Sequence, residues 1–145
     1  MKMLVCADGS EVSRKAIKEA ARIAANFKEI EVCILNVQRE ASLPLHTDEV
    51  EMRQLLKRFM LEYETKSNSI LQEAVKIFGE SGIRAEAVSK RGHTSSTILR
   101  FAAEEKVDLI LLGSRGVSGP KKLLLGSVSN TVVQEAKCNV IIVKK

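Results

Sequence analysis

Val107-Asp108-Leu109-Ile110-Leu111-Leu112-Gly113-Ser114-Arg115-Gly116 is an apolar run that stops on a glycine turn, and nine residues later comes Gly126-Ser127. A run this apolar suits a strand buried on both faces. Ser127-Val128-Ser129-Asn130-Thr131-Val132-Val133 then reads as a helix start. A glycine turn after a strand lets backbone N–H groups converge, because glycine tolerates positive φ and has no Cβ to block a ligand. The helix start adds unpaired N–H donors and the positive end of a dipole. Together they predict an anion site, and the expected anion is phosphate.

Outward from this stretch, apolar runs alternate with helical periodicity. Leu4 to Ala7 reads as a first strand, closed by Asp8-Gly9-Ser10. From Glu11 to Phe27, Ala16, Ala20, Ala24 and Phe27 recur at helical spacing. Ile30 to Val37 is a second strand, and Gln38 to Thr47, with Pro44, reads as a loop. From Met52 to Phe78, apolar residues spaced three and four apart mark one stripe on a long helix. Gly79 and Gly82 are expected to end it. Ile83 to Lys90 is a third strand. Gly92 to Ser96 offers a turn and a cap, and Thr97 to Glu105 a short helix. Ser127 to Ala136 is the fourth helix and Val140 to Val143 the last strand.

This order predicts an α/β fold: a three-layer α/β/α sandwich around a five-stranded parallel sheet. In such sheets ligands bind at the carboxyl ends of strands where the winding reverses. With strand order 3-2-1-4-5, the reversal brings Asp8-Gly9-Ser10 beside Gly113-Ser114-Arg115-Gly116. The two most turn-rich polar segments then meet in one crevice.

The chain has 145 residues, 45% hydrophobic and 28% charged, which suits a single domain over 1–145. No apolar run reaches the roughly 20 residues that cross a bilayer. Met1 to Cys6 is followed by Asp8, so no signal-peptide core is read there, and a cytoplasmic location is expected. The net charge of +5 is scattered among acids, and one Tyr, four Phe and no Trp leave little to stack on bases. Neither nucleic acid nor membrane is expected as a partner. Cys6, Cys33 and Cys138 lie in or beside apolar runs and read as small buried hydrophobes.

No segment supplies Gly-x4-Gly-Lys-Ser/Thr, and Gly-x-Gly-x-x-Gly is absent after the first strand. Gly113-x2-Gly116-x9-Gly126-Ser127 instead resembles the ATP-binding motif of the universal stress protein family. Val5-Cys6-Ala7-Asp8-Gly9-Ser10-Glu11-x-Ser13 resembles that family's opening turn, and the likeness runs over essentially the whole chain. The chain departs from it at His93-Thr94, where an acid and Pro are frequent, and at Asn139, where Pro is frequent.

The resemblance implies an adenine nucleotide alpha-hydrolase-like fold, cytoplasmic location, homodimerisation and binding of ATP, or of AMP or ADP. By the same resemblance Gly113 and Gly116 would line the phosphate and ribose turn, with Arg115 between them. Gly126, Ser127, Val128 and Ser129 would hold phosphates through backbone N–H groups and hydroxyls. Asp8, with Ser10 in its turn, and the backbone near Val37 would face base and ribose, and Asp8 is the candidate ligand for Mg2+.

Plainer readings stand beside these. Asp8 suits an Asx-turn, Ser127 a helix cap, and Lys121-Lys122 a solvated pair rather than a phosphate contact. Phosphoryl transfer needs a positioned metal, an orienting group and charge stabilisation, and no second acid lies near the glycine turns. The expectation is tight binding with slow hydrolysis at most. The alternatives are a slow ATPase or nucleotide-transfer enzyme, and a stress protein that works through protein partners without nucleotide. The apolar last strand, placed at a sheet edge, would be covered by pairing with a second copy.

Overall fold

Strand β1 (Lys2–Cys6) is buried on both faces, which is why it reads as a continuous apolar run. Met3 and Val5 pack into one core layer and Leu4 into the other. The computed structural model describes residues 1–39, 49–115 and 125–144. Gly116, Lys121, Lys122, Pro44 and most of the expected 38–47 loop lie outside them.

The remaining elements are α1 (Glu11–Ala24), β2 (Glu31–Gln38), α2 (Glu49–Glu80), β3 (Ala85–Arg91), α3 (Thr94–Glu104), β4 (Leu109–Gly113), α4 (Ser127–Glu135) and β5 (Asn139–Val143). All five strands are parallel, in the order β3-β2-β1-β4-β5. Alternate strand residues divide the interior between two helical layers. Ala16, Ile17, Ala20 and Ala24 of α1, with Leu71, Ala74 and Phe78 of α2, cover one face. Ile98, Phe101 and Ala102 of α3, with Val132 of α4, cover the other. The small alanines of α1 let that helix lie close to the sheet.

The long helix α2 has 32 residues, roughly 48 Å of helix, yet its buried residues are Ser67, Leu71, Ala74 and Phe78. Its fully buried residues therefore all belong to its second half. It ends later than its first glycine suggested, because Gly79 is inside the helix. Gly82 makes the stop: at φ +71° its N–H donates to the Gly79 carbonyl, and the Ile83 N–H donates to the Phe78 carbonyl.

Helix α3 begins three residues earlier than expected. Its first turn is closed by the Thr97 N–H donating to the His93 carbonyl, while the His93 ring lies 3.2 Å from the Ser96 hydroxyl and 3.3 Å from that of Ser95. It closes with Lys106 at φ 51°, so β4 starts at Leu109 rather than Val107. Asp108 is at the far end of the sheet from the strand carboxyl termini. It accepts from the Lys2 N–H at 2.7 Å and joins the starts of β1, β4 and β5.

Candidate functional site

Chain reversal between β1 and α1 is organised by Asp8. Its Oδ1 accepts from the Ser10 N–H at 2.9 Å, and its own N–H donates to the Ser13 hydroxyl at 3.1 Å. Ser10 then caps α1 by accepting from the Ser13 N–H. Gly9 completes the turn at φ +80°, where an added Cβ would lie 3.0 Å from Ile70. The Asx-turn is thus present, and it leaves Oδ2 of Asp8 without a partner among the described residues. Ser10 spends its hydroxyl on the cap and is not among the residues lining the cleft described below.

At the other side of the winding reversal, β4 ends on Gly113. A Cβ there would lie 3.0 Å from Val12 Cγ1 and 3.2 Å from the Val12 carbonyl carbon. Glycine at this position lets the α1 start approach β4. Positive φ is not the reason: among the described residues the glycines in that region are Gly9, Gly82 and Gly92. Gly126 is the N-cap of α4 at φ −74°, and its N–H donates to the Ser114 carbonyl at 2.7 Å. Having no side chain, it leaves the N–H groups of Ser127, Val128 and Ser129 uncapped. The Ser129 hydroxyl is buried and turned inward, at 2.8 Å from the Ser114 carbonyl oxygen and 3.0 Å from that of Gly126. Its structural task is to fix the helix start against β4. The Ser127 side chain is exposed.

These two turns border one cleft of about 580 Å3 at the strand carboxyl ends. Of the expected residues, Asp8, Val37, Gly113, Arg115, Gly126, Ser127, Val128 and Ser129 line it; Gly116 lies outside the described residues. The cleft also has a wall that sequence reasoning missed: Gln38, Arg39, Tyr63, Lys66, Ser67 and Ile70. The signal was faint. Gln38 and Arg39 read as a loop start, and Ser67 is a polar residue inside an apolar stripe.

Ser67 is in fact the anchor of α2. Its hydroxyl donates to Asn36 Oδ1 at 2.7 Å and meets the Ser89 hydroxyl at 2.9 Å. Asn36 Nδ2 in turn donates to the Ala7 carbonyl at 2.6 Å, one residue before Asp8. Gln38 Nε2 donates to the Tyr63 carbonyl at 2.6 Å. A buried polar chain thus ties α2, β2 and the Asp8 turn together.

The described lining carries three cations, Arg39, Lys66 and Arg115, against one carboxylate, Asp8. With the α4 start this makes the cleft electropositive. Among the described residues no three His, Cys, Asp or Glu side chains gather as a metal site. A divalent ion at Asp8 would need most of its ligands from phosphate oxygens and water. Cys6 also lines the cleft, but burial pushes its thiol up to about 12, with the Asp8 charge adding to the effect. Burial likewise pushes Cys33 up to about 11. These thiols are protonated near neutral pH and act as packing groups.

A family model described as the universal stress protein family matches residues 1–144. Universal stress protein YxiE of Bacillus subtilis is 38% identical over 99% of this chain and 98% of its own length. Among solved structures, MJ0577 of Methanocaldococcus jannaschii superposes with a TM-score of 0.81 at 24% identity, covering 99% of this chain and 95% of that one. A universal stress protein in complex with cAMP gives 0.73 at 25% identity, covering 99% and 96%. The doubly wound sheet and the cleft at its winding reversal define a universal stress fold. The chain belongs to the universal stress protein family. Among the described residues no helix is long and apolar enough to cross a membrane.

Proposed function

We propose that this protein binds an adenine nucleotide, with ATP the principal ligand, in the cleft between the β1, β2 and β4 carboxyl ends and the start of α4. The observation that carries this reading is the uncapped α4 start, opening into a cleft with three described cations and one acid. Backbone N–H groups of Ser127, Val128 and Ser129 would receive phosphate oxygens, helped by the helix dipole. Arg115 and Gly113 flank the same turn. The cleft volume is within the range of small-molecule sites, roughly 300–1,000 Å3. A related universal stress protein was solved with cAMP, which supports an adenine nucleotide as the ligand class.

The chemistry favours binding over turnover. Asp8 is the one acid in the described lining, and one of its oxygens is held by its own turn. That leaves one carboxylate oxygen to assist a nucleotide-borne Mg2+ and no second acid to orient water. In this reading the protein is a nucleotide-dependent stress-response component of the cytoplasm, with slow hydrolysis at most, and pairs as a homodimer along β5.

The test is ultraviolet absorbance of the purified protein, followed by mass identification of released ligand and titration of the stripped protein with ATP. Co-purified adenine nucleotide or saturable ATP binding supports the reading. A protein that carries none and binds none contradicts it.

A further inference from the structure

Asn36 and Ser67 are 5% and 2% exposed, beside a core layer that includes Val32, Ile34, Leu71 and Ala74. A core that needed only filling would take apolar side chains here, because a buried polar group costs free energy unless it is bonded. Both are bonded, in a fixed sense. The Ala7 carbonyl can only accept, so the Asn36 amide nitrogen must face it, and Oδ1 is left for Ser67. Ser67 spends its single proton on Oδ1. The exposed Ser89 hydroxyl, 2.9 Å away, is therefore the donor to Ser67. The chain runs one way, from β3 through α2 and β2 to the end of β1.

It ends on one peptide unit. The Ala7 carbonyl that accepts from Asn36 and the Asp8 N–H that donates to the Ser13 hydroxyl belong to the same planar amide. A β2 side chain holds one edge of that plane and an α1 side chain holds the other. The Ala7 N–H, donating to the Leu35 carbonyl at 2.9 Å, fixes the residue before it. The plane sets the direction in which the Asp8 side chain leaves the backbone. That direction matters because Asp8 borders two openings: the cleft, and a groove between the α1 start and α2 that includes Arg14, Glu62 and Glu73.

We infer that Asn36, oriented by Ser67, is a positioning residue that aims the Asp8 carboxylate into the nucleotide cleft. The inference rests on the nucleotide-binding reading and names residues that act on that site through Asp8. Without Ser67 the Asn36 oxygen loses its donor, the amide is free to turn, and the peptide plane keeps one of its two holds. Asp8 then divides between the two openings, and the nucleotide loses an acceptor. A satisfied buried network of this kind rigidifies what it touches.

The experiment is a double-mutant cycle read by calorimetric titration of the full chain with Mg-ATP. The proteins are the wild type, Ser67→Ala, Asn36→Ala, Asp8→Asn and the two doubles with Asp8→Asn, each checked for folding by circular dichroism. Asp8→Asn preserves the turn, since its side-chain oxygen still accepts from the Ser10 N–H, and it replaces the second carboxylate oxygen with a donor. In the wild-type background either alanine variant is expected to bind about fivefold to tenfold more weakly. In the Asp8→Asn background the same substitution should change affinity by less than about twofold. Two alanine variants keep the test open if one of them fails to fold. A merely structural role would weaken binding by the same factor in both backgrounds, which overturns the inference. Wild-type affinity in a folded alanine variant overturns it as well, and leaves nucleotide binding standing. Failure of the wild type to bind Mg-ATP overturns both.

Discussion

A Cβ built on Gly113 meets Val12 Cγ1 at 3.0 Å, the Val12 carbonyl carbon at 3.2 Å and the Ser13 nitrogen at 3.3 Å. Two of these neighbours are backbone atoms at the start of α1 and yield little. Gly113→Ala should therefore destabilise the fold by about 1–3 kcal/mol, the usual range for overpacking, read as a lower denaturant midpoint. Gly126 differs, since the nearest atoms to a Cβ there are 3.5 Å away, so Gly126→Ala should fold as the parent does. The thiols give a second residue-scale prediction. Burial raises Cys6 to about 12 and Cys33 to about 11, against 9.0 when unperturbed. Above pH 9 the unfolded chain releases protons that the native state keeps, so stability falls as pH rises toward 11 to 12. Well below pH 9 the two thiols contribute no slope. Melting temperatures followed from about pH 8 to about pH 10.5 should decline, and less steeply in the Cys6→Ala, Cys33→Ala double variant.

Helices α2 and α3 end with the same hydrogen-bond pattern on different residues. In α2 the left-handed position is Gly82, and in α3 it is Lys106 at φ 51°, with the Val107 N–H donating to the Ala102 carbonyl. Lysine adopts that conformation at a cost that glycine avoids. Lys106→Gly should raise stability by about 1 kcal/mol, seen as a higher melting temperature with the fold unchanged. The strands were legible in the sequence because a sheet covered on both faces writes itself as apolar runs, as in Leu109 to Leu112. The start of α3 was less legible. Thr94, Ser95 and Ser96 carry no apolar period, and the ring of His93 beside their hydroxyls is visible only in three dimensions. The α2 wall of the cleft was illegible for a related reason. Tyr63 and Lys66 fit an ordinary amphipathic helix, and only the Asn36–Ser67 bond shows which turn of that helix reaches the strand ends. Asp8 and the α4 start, by contrast, were marked by turn chemistry local to the sequence.

The whole molecule has two sheet edges, and they differ. Strand β3 reads Ala-Glu-Ala-Val-Ser-Lys-Arg and is mostly exposed and polar, which protects it from further pairing. Strand β5 is Asn-Val-Ile-Ile-Val, half-buried along its apolar residues and followed by Lys144. Pairing through this edge predicts a dimer mass by light scattering at micromolar concentration; a monomer mass would count against it. The same parallel winding that puts β5 at an edge puts β1 and β4 side by side, and so brings the Asp8 turn to the α4 start. Nucleotide binding there is the central claim, and calorimetric titration with Mg-ATP of the stripped protein and of Ser127→Glu tests it most directly. Ser127 is exposed in the first turn of α4, where a carboxylate suits the helix dipole and preserves the fold while putting negative charge where the phosphates are proposed to bind. The expected result is one ATP per chain in the wild type and at least about tenfold weaker binding by a fully folded Ser127→Glu. Absence of ATP binding to the wild type, or equal affinity in the variant, would contradict it.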